Sequence, residues 1–526
     1  MTLTQLVLEQ QSFDGMVDSL DAQVAFPRKA FLLENVYPLD PELGGPVVGR
    51  PGFRITEDNQ LGADGIRQTK RVFQYTKLDG TEFTVGFVGA KMYTYNWGTR
   101  AWTNIALSGA GVALHNTAKV FCVTFADKLI VNPNDGSTKM WSWDGSNFAS
   151  LTNSSTVFGQ IVVYYAKLFG IKSAERGTLI WSEENAENTG YEAGGFNNAW
   201  TLGQSDQEPL HAIYATNEAL YYFRARSIGE ISGAVTTTFS TDGVRDGVSE
   251  TVGTLSPAAI VTREKNIFFL SADGRPHMIR PGLGVTPLWQ DARQTLSTIP
   301  RAQLSKAVAV NDGASRHILF GMAESGATNP TFKLAFRYSA RNPDETPVFS
   351  GIWRGYTFQS LDIVKDANLV PVIVHGSTDG YFYDHGNPDG SLWDYELKAG
   401  TVAIDHVVVG TTLGHDMQED KIFDRLDLTF QAKTVMTGLT FTLATPNADT
   451  ASTAFTVTGG FAVWDQAIWD TDTWVVDGLE AHSSLGLNSY GRWARPKITH
   501  SALGERFGLN GWRIEAFVEG KDPKTK

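Results

Sequence analysis

The sequence has a single cysteine, Cys122, among 526 residues. One cysteine excludes a disulfide framework within the chain and any metal site built from cysteine thiolates. Cys122 stands in the apolar run 120–123, so a buried thiol that packs as a small hydrophobic side chain is the favoured interpretation. A nucleophilic cysteine is the alternative, but no histidine-rich segment stands out that would activate it.

Runs of basic residues are also missing, and the formal net charge is −13. Binding to nucleic-acid phosphates depends on Lys and Arg side chains that release counterions. The composition therefore disfavours a protein that holds DNA or RNA by affinity. Two interpretations of the negative charge remain: solubility alone, or a surface past which nucleic acid slides without sticking.

Long apolar runs are absent as well. No stretch reaches the ~18 apolar residues that a membrane-spanning helix needs. Residues 1–5 show neither the basic segment nor the apolar segment of a secretory signal. We therefore expect no membrane span and a chain that folds in the cytoplasm of its host.

What the sequence does contain is a recurring strand–turn–strand unit, rich in tryptophan and other aromatic residues. Apolar β-runs meet turns of Gly, Asn or Asp and then resume, as in 87–97, 266–274 and 372–383. Units spaced roughly 35–50 residues apart are typical of propeller blades. Candidate blades lie near 72–105, 118–152, 158–204, 209–236, 256–290, 303–357 and 358–395. Five Asp-Gly pairs, which begin at 79, 135, 144, 273 and 379, are predicted hairpin turns.

The chain divides into three parts by composition and periodicity. Residues 1–70 are rich in Pro and Gly near their end and predict an extended arm. Residues 71–396 hold the repeats and predict a β-propeller. In residues 397–526 apolar side chains alternate strictly, at 426, 428 and 430, at 439, 441 and 443, and at 512, 514, 516 and 518. This period of two predicts a C-terminal β-sandwich, so the fold class is all-β.

Candidate catalytic groups are few. The loop 108–111 is glycine-rich, but it lacks the lysine of a phosphate-binding loop and is interpreted as a turn. His375, Asp384 and His385 flank one hairpin; solvated loop residues are favoured over a metal site. Glu183 and Glu184 form an acidic pair, but adjacent strand residues face opposite ways. We predict no catalytic residue, no cofactor and no metal, and hence a protein that is not an enzyme.

The most distinctive local pattern is the tryptophan cluster of Trp464, Trp469 and Trp474. A spacing of five residues fits neither one helix face nor one strand face, so the segment is predicted to be rich in turns. Its rings would form either a carbohydrate platform or a structural contact. The favoured interpretation is a lid on the sandwich or an interface with a neighbouring subunit.

The order of these parts resembles the tail hub (nozzle or tail accessory) proteins of short-tailed bacteriophages, in particular the P22-like propeller-bearing family. The segments 33–37 and 49–53 are similar to that family's opening pattern, N-(M/V)-Y followed by R-P-G. Further similarity lies, in order, at 167–170, 179–182, 211–214, 220–223, 227–233, 266–271, 464–474, 491–493 and 509–514. It extends over nearly the whole chain.

The resemblance implies a structural protein of the virion tail. Members form a ring, sixfold in the known architecture, below the portal and its adaptor protein. The ring extends the channel through which the genome leaves, and it anchors fibres, spikes or a needle. We therefore expect a homo-oligomer, a hexameric ring, whose lumen passes viral DNA without specific binding. Six copies, each with −13, would together carry −78 formal charges, and an acidic lumen would repel DNA.

The alternative is a propeller glycan hydrolase or lectin that acts on host surface polysaccharide. A hydrolase needs an open axial pocket with two carboxylates about 5–9 Å apart. A hub buries apolar patches between identical neighbours, typically above about 1,000 Å².

Overall fold

The computed structural model describes residues 3–10, 13–14, 16–17, 29–39, 46–50, 52–63, 65–151, 157–182, 198–202, 208–233, 244–342, 345–385, 395–397, 400–413, 420–431, 436–446, 453–457, 480–503, 505 and 507–519. Strands make up 56% and helices 4%, so the predicted all-β class is confirmed. None of the helices in the described part has the length and apolar character that crossing a bilayer requires.

Five short strands come first in the chain. They are β1 (Leu3–Gln10), β2 (Leu32–Glu34), β3 (Val36–Pro38), β4 (Val47–Gly49) and β5 (Phe53–Ile55).

Five sheets then share one topology, in which four consecutive strands pair as an antiparallel meander. The first two contain β6 (Thr69–Thr76), β7 (Glu82–Val88), β8 (Lys91–Asn96) and β9 (Ala101–Ile105), then β10 (Phe121–Phe125), β11 (Lys128–Asn132), β12 (Trp141–Trp143) and β13 (Phe148–Ser150). The next two contain β14 (Phe158–Tyr164), β15 (Lys167–Lys172), β16 (Thr178–Trp181) and β17 (Asn198–Thr201), then β18 (Ala212–Ala215), β19 (Ala219–Phe223), β20 (Ile228–Ser232) and β21 (Val244–Ser249). The fifth contains β22 (Ile260–Arg263), β23 (Asn266–Leu270), β24 (Pro276–Arg280) and β25 (Gly284–Pro287).

Two further units of this kind lie within larger sheets. One is β26 (Val308–Asp312), β27 (His317–Met322), β28 (Phe332–Arg341) and β29 (Pro347–Arg354). The other is β30 (Ser360–Lys365), β31 (Pro371–Gly376) and β32 (Phe382–His385), to which β5 adds the fourth strand. Each range predicted as a blade overlaps one of these units, but β21 lies outside the range 209–236 and β5 lies outside the range 358–395.

The first strands of these units form two series of contacts, which a 3₁₀ helix joins into a ring. Strands β6, β10, β14 and β18 are neighbours in that order, as are β22, β26 and β30, and β30 contacts β6. A 3₁₀ helix, Pro257–Ala259, contacts both β18 and β26. The predicted β-propeller is therefore confirmed. The other described helices are the 3₁₀ helices Gln290–Ala292 and Arg301–Lys306 and a short α-helix, Arg293–Ser297.

The predicted Asp-Gly pairs lie in hairpin turns. Each joins two consecutive paired strands, and each glycine has φ between 76° and 99°. Because a Cβ atom makes this region unfavourable for other residues, glycine fits these turns. The turns are Asp79-Gly80, Asp135-Gly136, Asp144-Gly145, Asp273-Gly274 and Asp379-Gly380.

The remaining strands lie beyond the propeller units. They are β33 (Tyr395–Leu397), β34 (Gly400–Val402), β35 (His406–Val409), β36 (Lys421–Gln431), β37 (Met436–Ala444), β38 (Thr453–Val457), β39 (Glu480–Gly491), β40 (Arg495–His500) and β41 (Gly508–Glu519). One sheet has the order β3-β4-β41-β36-β39. A second continues from β29 through β2, β35, β40 and β37 to β38.

The predicted alternation of apolar residues in this region is confirmed. The alternating apolar residues of β36, β37 and β41 named above are buried, and all of them except Val518 join one hydrophobic cluster to which both sheets contribute. That cluster also includes propeller residues such as Phe320 and Phe336. The propeller and the C-terminal sheets therefore share a core.

The N-terminal strands connect these parts. Strand β1 pairs with β41 from Leu3↔Glu519 to Gln10↔Trp512. Strand β2 lies between β29 of the propeller and β35 of the C-terminal sheet. Strand β5 pairs with both β32 and β33. The segment expected to be an arm thus supplies strands to three sheets.

A buried polar junction fixes this arrangement. Asn35 is 2% exposed and Arg50 is fully buried. The Asn35 Oδ1 atom accepts hydrogen bonds from Arg50 Nε at 2.9 Å and from the Arg354 backbone N–H at 2.7 Å. Asn35 Nδ2 donates to the Asp405 carbonyl at 2.8 Å. One side chain therefore connects the N-terminal segment, the propeller and the C-terminal region.

We predict that Asn35→Ala lowers the free energy of unfolding by about 3 kcal/mol, because it removes the three hydrogen bonds of a buried side chain, one of them to a charged group. Asn35 also has φ of 56°, a conformation that alanine adopts less readily than asparagine. Calorimetric or urea-induced unfolding measures the change. The matched control, Asn59→Ala, removes an exposed side chain and should cost under about 0.5 kcal/mol. Equal stability of the two variants would contradict the role assigned to Asn35.

Candidate functional site on the propeller axis

A cavity of about 360 Å³ lies on the propeller axis. Strands β6, β10, β14, β18, β22, β26 and β30 all contribute to its walls. A second cavity of about 280 Å³ shares Lys70, Lys119 and Gln359 with the first and is also lined by Lys306. We call this second cavity, with its three lysines, the axial mouth. Propellers commonly bind ligands where their strands converge, so this is the candidate site.

Each lysine of the axial mouth donates a hydrogen bond to a backbone carbonyl. Lys70 Nζ donates to the His115 carbonyl, Lys119 Nζ to that of Ser305 at 3.1 Å, and Lys306 Nζ to that of Thr328 at 2.7 Å. Burial lowers the pKa of Lys70 and of Lys119 to about 8, and the charge of Lys306 also lowers that of Lys119. The mouth is therefore a partly desolvated, cationic site.

Arg71 and Asp362 form an ion pair in the wall of the axial cavity. Arg71 Nε lies 3.6 Å from Asp362 Oδ1, and the Val72 N–H donates to Asp362 Oδ2 at 2.9 Å. Burial raises the pKa of Asp362, and Arg71 opposes that shift. Asp362 is the one carboxylate among the described residues that line this cavity. These residues do not form the pair of carboxylates that glycoside hydrolysis requires.

Cys122 lies in the same wall and is buried. Burial raises the pKa of its thiol to about 12, so the thiolate is scarce at neutral pH. The side chain acts as packing, as its apolar sequence context indicates.

The structure brings together two of the three residues that flank the hairpin. His375 Nδ1 lies 2.7 Å from His385 Nε2. Asp384 faces the other side of β32, where it accepts from Arg54 Nε at 3.0 and 3.1 Å. His375 and Asp384 are buried, His385 is half-buried, and all three lie in strands, so the favoured interpretation of solvated loop residues was wrong. Within the described ranges, no three His, Cys, Asp or Glu side chains are placed to hold a metal.

A buried lysine beside this histidine pair was missed in the sequence. Lys333 is 0% exposed, and its Nζ atom lies 3.3 Å from His385 Nε2 and 4.9 Å from the Tyr356 ring centre. Burial lowers its pKa well below the usual value. The neighbours Phe332 and Leu334 are buried too, so alternation along β28 gives no signal that Lys333 is inside.

None of the loop residues 108–111 lines either cavity. The loop 108–111 is an exposed turn, and Gly109 and Gly111 have φ of 109° and 79°. The acidic pair Glu183 and Glu184 lies outside the described residues. So do the candidate interface residues Trp464, Trp469 and Trp474.

Comparisons with known proteins leave the family open. No protein-family model matches the chain, and neither does any curated protein sequence. The chain is similar to the computationally designed Ika8 protein at 12% identity and a TM-score of 0.35, covering 65% of this chain and 93% of that one. It is similar to the extracellular domain of BT4673 from B. thetaiotaomicron at 10% identity and a TM-score of 0.38, covering 64% of this chain and 40% of that one. At these TM-scores neither similarity carries an argument about function.

The buried histidine pair predicts a loss of stability in acid. Burial lowers the folded-state pKa of His375 and His385 well below 6.5, so the unfolded chain binds protons first as the pH falls. The contribution of this pair to stability is therefore full above pH 6.5 and decreases below it, by up to about 1.4 kcal/mol per pH unit for each histidine. Unfolding free energies measured from pH 5 to 8 test this.

The variant His375→Phe places a ring among Phe53, Tyr356 and Tyr383 and cannot be protonated. It should reduce the slope of stability against pH below 6.5 by about 1 kcal/mol per pH unit. The exposed His115→Phe is the control and should leave the slope unchanged. A wild-type slope in His375→Phe would contradict the assignment.

Proposed function

We propose that this protein is a structural component of a bacteriophage tail. In this proposal it forms the ring of a tail hub, or nozzle, which extends the DNA ejection channel below the portal-adaptor protein. The ring anchors fibres, spikes or a needle and is located in the virion. Beside the propeller, the proposed fold has an N-terminal arm and a C-terminal β-sandwich. The two C-terminal sheets that share one hydrophobic cluster would form this sandwich.

The observation that carries the proposal is the interlocking of the N-terminal strands with both major parts of the chain. Strands β1, β2 and β5 pair with partners more than 300 residues away in sequence. Such pairing resists separation of the propeller from the C-terminal sheets when force acts on either one. A channel component that withstands genome ejection and holds fibres needs that property.

The net charge supports the same proposal. Six copies, each with −13, would carry −78 formal charges, and DNA would pass such a ring without specific binding. The cationic axial mouth belongs to the propeller of one chain and is separate from the proposed lumen between chains.

The second candidate function is a glycan hydrolase or lectin. The axial cavity is the observation that favours it, since its volume suits a small ligand. Among the described lining residues the lone carboxylate, Asp362, pairs with Arg71, so a lectin is better supported than a hydrolase.

Electron microscopy of the purified full chain, combined with light scattering after size exclusion, tests the proposal. We expect closed rings of six subunits, at six times 57.5 kDa.

The triple variant Trp464→Ala, Trp469→Ala, Trp474→Ala should shift the protein toward monomers, because these tryptophan side chains are the proposed subunit contact. The control Trp97→Ala removes a tryptophan that packs on Tyr95 within the same chain and should keep the ring. A monomer that releases sugars from host polysaccharide would contradict the proposal.

A further inference from the structure

The axial mouth concentrates positive charge in an acidic protein. Lys70, Lys119 and Lys306 all line this 280 Å³ cavity, although the chain has a net charge of −13. In the described part of the chain, none of the three lies within 4.0 Å of a carboxylate oxygen. Lysines elsewhere do form such pairs, as Lys265 does with Glu218 at 2.9 Å.

The three ammonium groups have hydrogen-bonding capacity left. Each ammonium has three N–H donors, and each of these lysines uses one on a backbone carbonyl. A carbonyl is neutral and does not compensate the charge. Because like charges in a partly desolvated site repel one another, an anion placed between them would relieve an unfavourable interaction.

A buried hydroxyl provides a second, independent indication of a ligand. Ser360 is 3% exposed and lines the adjoining axial cavity, and its Oγ atom has no hydrogen-bond partner among the residues that the structure describes. Buried polar atoms of this kind are rare unless they await a partner. A hydroxyl donates readily to an anionic oxygen.

We propose that the axial mouth binds a small, doubly charged oxyanion: inorganic phosphate or the phosphate group of a small phosphate monoester. Lys70, Lys119 and Lys306 would donate to its oxygens, and Ser360 would donate from the axial cavity. Three cations favour a dianion over a carboxylate with a single charge. The proposal goes beyond the structural role in the tail and does not depend on ring formation.

Isothermal titration of the full chain with inorganic phosphate, at pH 7 and constant ionic strength, tests the proposal. We expect saturable binding to the wild type and a dissociation constant weakened roughly tenfold or more in Lys119→Gln, which removes one charged donor. Lys265→Gln is the matched control, since it neutralises an exposed lysine on another surface, and it should bind phosphate as the wild type does. Absence of saturable heat in the wild type, or equal affinity in Lys119→Gln, would overturn the proposal.

Thermal unfolding provides a second readout. Phosphate stabilises most proteins because it is excluded from their surface, so only the difference between variants is informative. The rise in Tm with phosphate should be larger for the wild type than for Lys119→Gln or Lys306→Gln, and the second variant covers the case in which the first fails to fold. Glycerol phosphate should act like inorganic phosphate. Glucuronate should act more weakly, and a larger rise with glucuronate would overturn the choice of a phosphate group.

Discussion

The contact between Asn35 and Arg50 is the interaction on which the rest of the structure depends. The two side chains are buried where the N-terminal segment passes between the propeller and the C-terminal sheets. The Arg50 guanidinium also donates to the Arg354 carbonyl at 2.9 Å and lies over the rings of Trp353 and Tyr356. Burial lowers the pKa of Arg50 to about 10, so the group remains charged at neutral pH. A buried charge needs compensating hydrogen bonds, and Asn35 supplies one of them.

This junction also directs the chain toward the strand that closes the propeller. Once Arg50 is held, the chain continues into β5, which pairs with β32 as the fourth strand of the last blade unit. Phe53 of β5 is fully buried against Tyr356, His375 and Tyr383. The N-terminal segment thereby completes the blade unit that comes last in the sequence. The axial cavity and its lysines keep their positions because the ring around them is closed.

Local features of the fold could be predicted from the sequence, because they depend on neighbours along the chain. The Asp-Gly turns and the alternation at 426, 428 and 430 are of this kind. The pairing of β2 with β29 and β35 was not predicted, since it joins segments more than 300 residues apart. No periodicity within Leu32–Glu34 specifies such partners. The segments around Asn35 and Arg50 predict an extended arm and resemble a family pattern, but neither feature indicates that the two side chains meet.

The candidate site, too, could be predicted from the sequence only in part. The sequence places Lys70, Lys119 and Lys306 far apart, and only ring closure brings their side chains to one cavity. His375 and His385 were noticed because they flank one hairpin, but their burial depends on Lys333 and on β5. Contacts between charged residues that are far apart in sequence, and the burial of those residues, depend on the tertiary structure. Local sequence patterns do not specify them.

Hydrogen exchange followed by mass spectrometry tests most directly whether the N-terminal segment is integral to the fold. Peptides that contain β2 and β5 should exchange as slowly as peptides from β31 and β40, because all four strands would open only with the core they share. Exchange of β2 and β5 within seconds, while β31 and β40 stay protected, would contradict the account.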